Sequence, residues 1–361
     1  MVTSPTVRSI TMMAGGTGGH VFPALAVAEV LRARGHEVTW IGTAAGIESR
    51  LVPEHGFELD VIQVKGVRSS GLFRLVAAPL VVARAMWQAL GILRRRRPSL
   101  VVGMGGFATG PGGLVARLLG MPLVIHEQNA IPGLTNRLLS RVATRVLEAF
   151  EATFPERLAA EATGNPVRAE ITALPAPEAR FTGREGPLRL LVTGGSLGAQ
   201  ALNDLLPATI ATLPAKQRPV VRHQAGRGKA DATRAAYADA GVEAEVTEFI
   251  ADMAEALGWA DLVVCRSGAL TVSELASAGV GAVLVPYPYA VDDHQTANAK
   301  VLSRAGAAVV FQQADLTASQ LAGWLGAKDR DGLQEMAVKA RGCARPGAAE
   351  RVAAVCEEVM A

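Results

Sequence analysis

Aromatic side chains make up only 4% of this 361-residue chain, and its formal net charge is only +3. Nucleic-acid binding draws on basic faces and stacking platforms, so no nucleic-acid partner is expected. Cysteine is scarce too: Cys265, Cys343 and Cys356 are odd in number and form no CxxC pair. That argues against a disulfide framework or a cysteine zinc site and fits a reducing compartment. The opening stretch MVTSPTVRSITMMAGG lacks the apolar run and cleavage site of a signal peptide, so a cytoplasmic location is expected. No GxxxxGK[ST] occurs, because Gly228-Lys229 is followed by Ala230, and nucleotide hydrolysis loses its usual machinery. The acidic pairs Asp292-Asp293 and Asp329/Asp331 have no third convergent ligand, so no metal is expected. Charged residues are 19% of the chain and apolar ones 50%, a balance suited to compact domains rather than disorder.

Glycine, in contrast, is concentrated. Three turns carry it: GGTGGH at 15–20, GMGGFATGPGG at 103–113 and GGSLGAQ at 194–200. Each lies between an apolar, strand-like run and a helix-like run. A glycine has no Cβ to hold a ligand away from the backbone N–H groups, and the following helix start adds partial positive charge. The turns therefore read as phosphate cradles. Around them, strands are expected at 10–14, 38–42, 59–64, 100–103, 123–126 and 145–149, then at 188–193, 220–225, 262–265 and 282–286. Their alternation with Ala/Leu/Arg-rich helical segments predicts βαβ units and parallel sheets: an α/β chain of two Rossmann-like domains facing across a cleft. The proline-rich stretch 175–187 reads as a linker. The expected domains are 1–166 and 167–346, with the amphipathic segment 347–361 a candidate to pack back on the first.

Several polar residues fall where such folds bind ligands. His20 closes the first glycine turn at a helix start, as a general base or as a cap. His126, Glu127, Gln128 and Asn129 form a polar row at a strand end, which is hard to explain as core. The fragment GMGGFA also matches a GxGxxA fingerprint, with Glu127 about twenty residues on, and this keeps a dinucleotide oxidoreductase open. The densest group is Arg266-Ser267-Gly268-Ala269-Leu270-Thr271-Val272-Ser273-Glu274 after a strand, where a helix start would hold phosphate and Glu274 would accept from ribose hydroxyls. Asp292, Asp293, His294, Gln295 and Asn298 offer groups for sugar hydroxyls.

Seven ordered segments, GGTGGH, GMGGFATGPGG, HEQNAIPGLTNR, GNPVR, GGSLGA, CRSGALTVSE and DDHQTANA, resemble the MurG family of bacterial N-acetylglucosaminyltransferases over nearly the whole chain. The resemblance implies a GT-B fold, with a lipid-diphosphate acceptor on the first domain and UDP-N-acetylglucosamine on the second. It implies inverting transfer of N-acetylglucosamine to the muramoyl C4 hydroxyl of lipid I, giving lipid II and UDP in peptidoglycan synthesis, without cofactor or metal. By the same resemblance, Thr17, Gly18, Gly19 and Asn129 lie near the donor, Arg168 and Ser196 near its diphosphate, and Ile250 at the uracil. Ala269, Leu270, Thr271, Val272, Ser273 and Glu274 hold the diphosphate and ribose, and Gln295 the sugar hydroxyls. Gly16, Gly105 and Gly106 fall to the acceptor diphosphate, and His20, with Glu127 behind it, becomes the base. Leu197 stands where the family often has Gln, and His294 where some members have a second Gln. A UDP-sugar 2-epimerase of the same fold and a non-catalytic nucleotide-sugar sensor remain the rival readings beside the oxidoreductase.

The run 75–93 is long and apolar, but Arg84 near its middle would cost about 2.5 to 3.5 kcal/mol on membrane-insertion scales. Spanning is disfavoured. The run, with Phe73, Leu75, Leu80, Val81 and Trp87 near the arginines 94–97, is either a buried helix or an interfacial one. The second reading, together with the lipid acceptor that the resemblance implies, places the protein peripherally on an anionic membrane surface, the cytoplasmic face of the inner membrane.

Overall fold

The computed structural model describes residues 7–63, 72–195 and 197–361. The chain divides into two compact units, one of residues 1–168 with 347–361 and one of 169–346.

In the first unit the strands are β1 (Ser9–Met13), β2 (Glu37–Gly42), β3 (Glu58–Val61), β4 (Leu100–Gly103), β5 (Leu123–Glu127), β6 (Arg145–Glu148) and β7 (Glu161–Ala162). They form one parallel sheet in the order β3-β2-β1-β4-β5-β6-β7. Helices α1 (Gly18–Ala33), α2 (Glu48–Glu54), α3 (Leu72–Arg96), α4 (Thr109–Leu118) and α5 (Leu134–Leu139) connect them. Strands such as LVVG in β4 are buried along their whole length, as expected for a sheet covered on both faces. Alternation divides the side chains: Ile10, Met12 and Val124 enter one core, Met13, Leu123 and Ile125 the other.

The second unit repeats the plan with β8 (Arg189–Thr193), β9 (Val220–Gln224), β10 (Glu245–Thr247), β11 (Leu262–Cys265), β12 (Gly281–Leu284) and β13 (Ala308–Val310). Its parallel sheet runs β10-β9-β8-β11-β12-β13. Its helices are α6 (Ala169–Thr172), α7 (Pro177–Phe181), α8 (Gln200–Thr212), α9 (Ala230–Asp239), α10 (Met253–Trp259), α11 (Ala269–Ala278), α12 (His294–Arg304), α13 (Ala318–Gly326) and α14 (Arg330–Gly342). The last helix, α15 (Ala348–Met360), returns to the first unit. There Val352, Ala353, Val355 and Cys356 join the core of β1 and α1, and Glu357 pairs with Arg34 at 2.7 Å and with His36 at 3.1 Å.

One expectation is corrected: 175–187 is not a free linker. It contains α7, buries Phe181 in the core of the second unit, and Arg180 donates to the carbonyls of Leu257 and Ala278. Among the described residues no helix is long and apolar enough to cross a membrane.

Candidate functional site

Both sheets reverse strand order at their first strand, between β1 and β4 and between β8 and β11. Ligands of open α/β sheets bind beyond the strand ends at such a reversal. All three glycine turns, and the Arg266 to Gly268 turn, lie there.

In the first unit the two glycine turns interlock. Met104 N–H donates to the Met13 carbonyl at 2.8 Å, and the Thr109 hydroxyl bridges the carbonyls of Met13 (3.0 Å) and Gly105 (2.7 Å). A Cβ on Gly106 would strike the backbone of Gly15. Gly105 and Gly106 have φ of +95° and +89°, so both conformation and space demand glycine. Beneath the first turn lies Glu48, fully buried, which sequence reasoning missed because it reads as an ordinary helix glutamate. Its carboxylate accepts from Gly16 N–H (2.9 Å), Thr43 N–H (2.9 Å) and the Thr43 hydroxyl (2.6 Å). The Gly16 N–H, expected to face a phosphate, is thus engaged by Glu48. Thr17 begins α1 without a side-chain cap, with Gly18, Gly19 and His20 in the first turn behind it. Arg168 places its guanidinium 5.5 Å from the ring of Phe22 on the same helix.

The polar row at the end of β5 departs from its expected role. His126, Glu127 and Gln128 are 0%, 2% and 1% exposed; they form a buried network, and only Asn129 and Ala130 emerge to half-burial. Glu127 accepts from Asn129 N–H (2.9 Å), Asn129 Nδ2 (3.1 Å), Gly133 N–H (3.1 Å) and Asn136 Nδ2 (2.9 Å). Four donors fill the lone pairs that a base would need. Glu127 therefore shapes the loop carrying Asn129. His20 is half-exposed, with Nδ1 2.9 Å from Oε1 of Gln128.

In the second unit, a cavity of about 560 Å³ is bounded by the glycine turn after β8, the turn after β11, the start of α11, and Gln295. Ser196 lies outside the described residues; its neighbours Gly195 and Leu197 line the cavity. Helices α8 and α11 both start here, so the positive ends of two helix dipoles face the space. Thr271 lines the cavity, Ala269, Leu270, Val272 and Ser273 form the surrounding helix turns, and Glu274 is 9% exposed. Gln295 accepts from the Tyr287 N–H at 2.9 Å. Ile250, half-buried after β10, is not among the cavity residues.

Sequence reasoning set Arg266 at the head of its densest group without a role of its own, and it missed two other residues of this cavity, Tyr287 and Gln313. Arg266 donates to the carbonyls of Val285 and Pro286 (3.0 and 3.1 Å) and to Oε1 of Gln313 (2.5 Å), with its guanidinium 5.5 Å from the Tyr287 ring. Burial lowers its pKa from the ordinary arginine value. Arg266 was legible as a cation at a strand end, whereas Tyr287 and Gln313 follow later strands and carry no local signal. The turn after β8 has its own support: Asn203 donates to the Ala225 carbonyl (3.0 Å), and His223 lies 3.1 Å from Asn203 and 3.0 Å from Tyr237. Burial pushes the pKa of His223 down to about 4.

Two Rossmann-like units, the first with two glycine turns at its strand reversal and the second with one glycine turn and the Arg266 to Gly268 turn, have the architecture of GT-B glycosyltransferases. Glycosyltransferase family 28 matches in both halves, its N-terminal domain at residues 10–148 and its C-terminal domain at 189–352. A Ralstonia nicotianae protein named UDP-N-acetylglucosamine--N-acetylmuramyl-(pentapeptide) pyrophosphoryl-undecaprenol N-acetylglucosamine transferase is 54% identical over 358 residues, covering 98% of this chain and 97% of that protein. The protein of the same name from Alkalilimnicola ehrlichii is 56% identical over 351 residues, covering 97% and 98%. The crystal structure of Acinetobacter baumannii MurG matches with a TM-score of 0.84 at 45% identity, covering 97% of this chain and 99% of that one. The chain belongs to the MurG family.

Proposed function

We infer that this protein transfers N-acetylglucosamine from UDP-N-acetylglucosamine to lipid I, forming lipid II and UDP. The family carries this reading, and the rival epimerase and oxidoreductase readings have no comparable support. The single structural observation behind it is the donor-sized cavity at the N-termini of α8 and α11.

In the proposed mechanism the muramoyl C4 oxygen attacks the anomeric carbon, the bond to UDP breaks, and the bonding pair leaves on the diphosphate. His20 takes the hydroxyl proton. The α8 and α11 N-termini, with Arg168 and the turn containing Ser196, stabilise the leaving charge, and Glu274 accepts from the ribose. Gly105 and Gly106 hold the acceptor turn, Ile250 reaches the uracil, and Gln295 reads the sugar. The linkage formed is β, because attack comes from the face opposite UDP. Proton NMR of the product tests this: a large anomeric coupling is expected, and a small one overturns single displacement.

A polyprenyl acceptor stays in the bilayer, so the first unit works at a membrane surface. On α3, Leu80, Arg84 and Trp87 follow the i, i+4, i+7 spacing of one face, and all three are exposed. Leu118 on α4 and Leu134 and Leu138 on α5 are exposed as well. The arginines of 94–97 are less available than their sequence suggests. Arg95 pairs with Asp60 at 2.6 Å, and Arg96 with Asp60 and Glu58 at 2.7 and 2.6 Å. The side chains of Phe73 and Leu75 lie outside the described residues. Peripheral attachment to the cytoplasmic face, through the exposed stripe of α3 and its neighbours, is the proposed arrangement.

A further inference from the structure

The buried row at the end of β5 runs to His20 through groups whose polarity fixes one another. It begins at the Gly164 carbonyl, which can only accept and lies 2.9 Å from Nε2 of His126. Nε2 of His126 therefore bears the ring proton. Burial holds the ring neutral, its pKa pushed down to about 4, so Nδ1 keeps a lone pair. Nε2 of Gln128 lies 3.2 Å from that lone pair and 3.3 Å from the His126 carbonyl oxygen. Two acceptors on one side require the amide NH2 there, which turns Oε1 of Gln128 towards His20. That oxygen accepts from Nδ1 of His20 at 2.9 Å, so the one lone pair of the neutral His20 ring is at Nε2. Asn165 clamps the row by donating to the Gln128 carbonyl at 3.1 Å.

We propose that Gln128 and His126 are positioning residues for the transfer: anchored on the Gly164 carbonyl, they lock His20 as its Nδ1–H tautomer and present Nε2 to the acceptor hydroxyl. The proposal rests on the reading of His20 as the base. The hydroxyl proton stops at Nε2, and the resulting cation keeps its Nδ1–H bond to the Gln128 oxygen, whose dipole opposes the new charge. No proton passes further, because the amide faces His126 with its NH2. The device is a tautomer lock rather than a proton wire, and an imidazole in the wrong tautomer is a severely impaired base.

The test uses the full-length enzyme labelled with 15N-histidine. The chain has six histidines, so a His20→Ala spectrum assigns the His20 signals. Two-bond 15N–1H correlations at alkaline pH should show the Nδ1–H form in the wild type and a shift towards Nε2–H in Gln128→Leu. In that variant kcat should fall about tenfold to a hundredfold, with KM for UDP-N-acetylglucosamine within a factor of about two. Gln128→Glu keeps an acceptor facing His20 but sets its second carboxylate oxygen against the two acceptors of His126, so it should retain the Nδ1–H form while losing stability and recovering only part of the rate; the wild-type spectrum decides the tautomer if Gln128→Leu does not fold. An Nε2–H tautomer in the wild type, or the wild-type tautomer and kcat in folded Gln128→Leu, overturns the lock. Normal turnover by His20→Ala removes the base reading separately, whatever the spectra show, and with it the catalytic role of the lock.

Discussion

The His20 ring occupies the place a side chain on Gly105 would take: a Cβ there would lie 2.5 Å from Nδ1 of His20. Gly105 also has φ of +95°, so a substitution meets backbone strain as well as the imidazole. Gly105→Ala should cost about 1 to 3 kcal/mol of stability. It should also reduce kcat more than donor affinity, because the displaced ring belongs to the proposed base. Denaturant unfolding and steady-state kinetics on one preparation check both; an active, fully stable variant contradicts this packing.

Glu127 and His20 separate by substitution. Glu127→Gln puts an NH2 among the four donors that now face the carboxylate. A loss of about 1 to 3 kcal/mol in stability is expected. In the folded variant kcat should stay within about tenfold of the wild type, because the base is elsewhere. A fall of about 10² to 10⁴ in kcat of a folded variant would return Glu127 to the role of base.

Glu274 should matter to the nucleotide and not to the acceptor. Removing a charged hydrogen-bonding partner costs about 1.5 to 3 kcal/mol, so Glu274→Ala should weaken UDP and UDP-sugar binding roughly tenfold to a hundredfold. Calorimetric titration with UDP measures it. Unchanged affinity excludes the ribose assignment.

Acid should destabilise the protein well above the range where carboxylates titrate. His126 and His223 are both held near a pKa of about 4 by burial, against an ordinary value of 6.5. Between those values the unfolded chain binds protons that the folded chain refuses, so stability falls as pH drops through that window. Each histidine contributes on the order of 3 kcal/mol across it. Unfolding by urea between pH 7.5 and pH 4 should show this slope, and His126→Asn should remove about half of it, the share of His223 remaining. A variant with the wild-type pH dependence would show that His126 is not the group responsible.

Membrane attachment should follow the exposed stripe of α3. Leu80→Glu with Trp87→Glu should reduce co-sedimentation with anionic vesicles severalfold while leaving turnover of a water-soluble acceptor analogue intact. Arg84→Gln should cost about 1 kcal/mol of binding at low salt and little at high salt. Sedimentation indifferent to all three changes places the contact elsewhere.

The alternating strands and the glycine turns were readable because a parallel strand buried on both faces is an unbroken apolar run, and the turn after it exposes a need for glycine. The short edge strands β7, β10 and β13, of two to three residues, carry too little pattern to be seen. At the site, His20 and the start of α11 were legible because local signals mark helix starts. Glu48 was missed and the His126–Gln128 row misread because a buried polar residue looks the same in sequence as an exposed one; only its partners, 32 to 108 residues away or beyond a turn, distinguish them. The pairing of Arg95 and Arg96 with Glu58 and Asp60 was hidden for the same reason.

The central claim is that UDP release depends on the lipid acceptor. Purified protein with UDP-N-acetylglucosamine should release UDP only when a lipid I analogue is present, one UDP for each disaccharide-lipid formed by mass spectrometry. UDP release or sugar epimerisation at the same rate without the acceptor, or no disaccharide-lipid with it, would contradict the account.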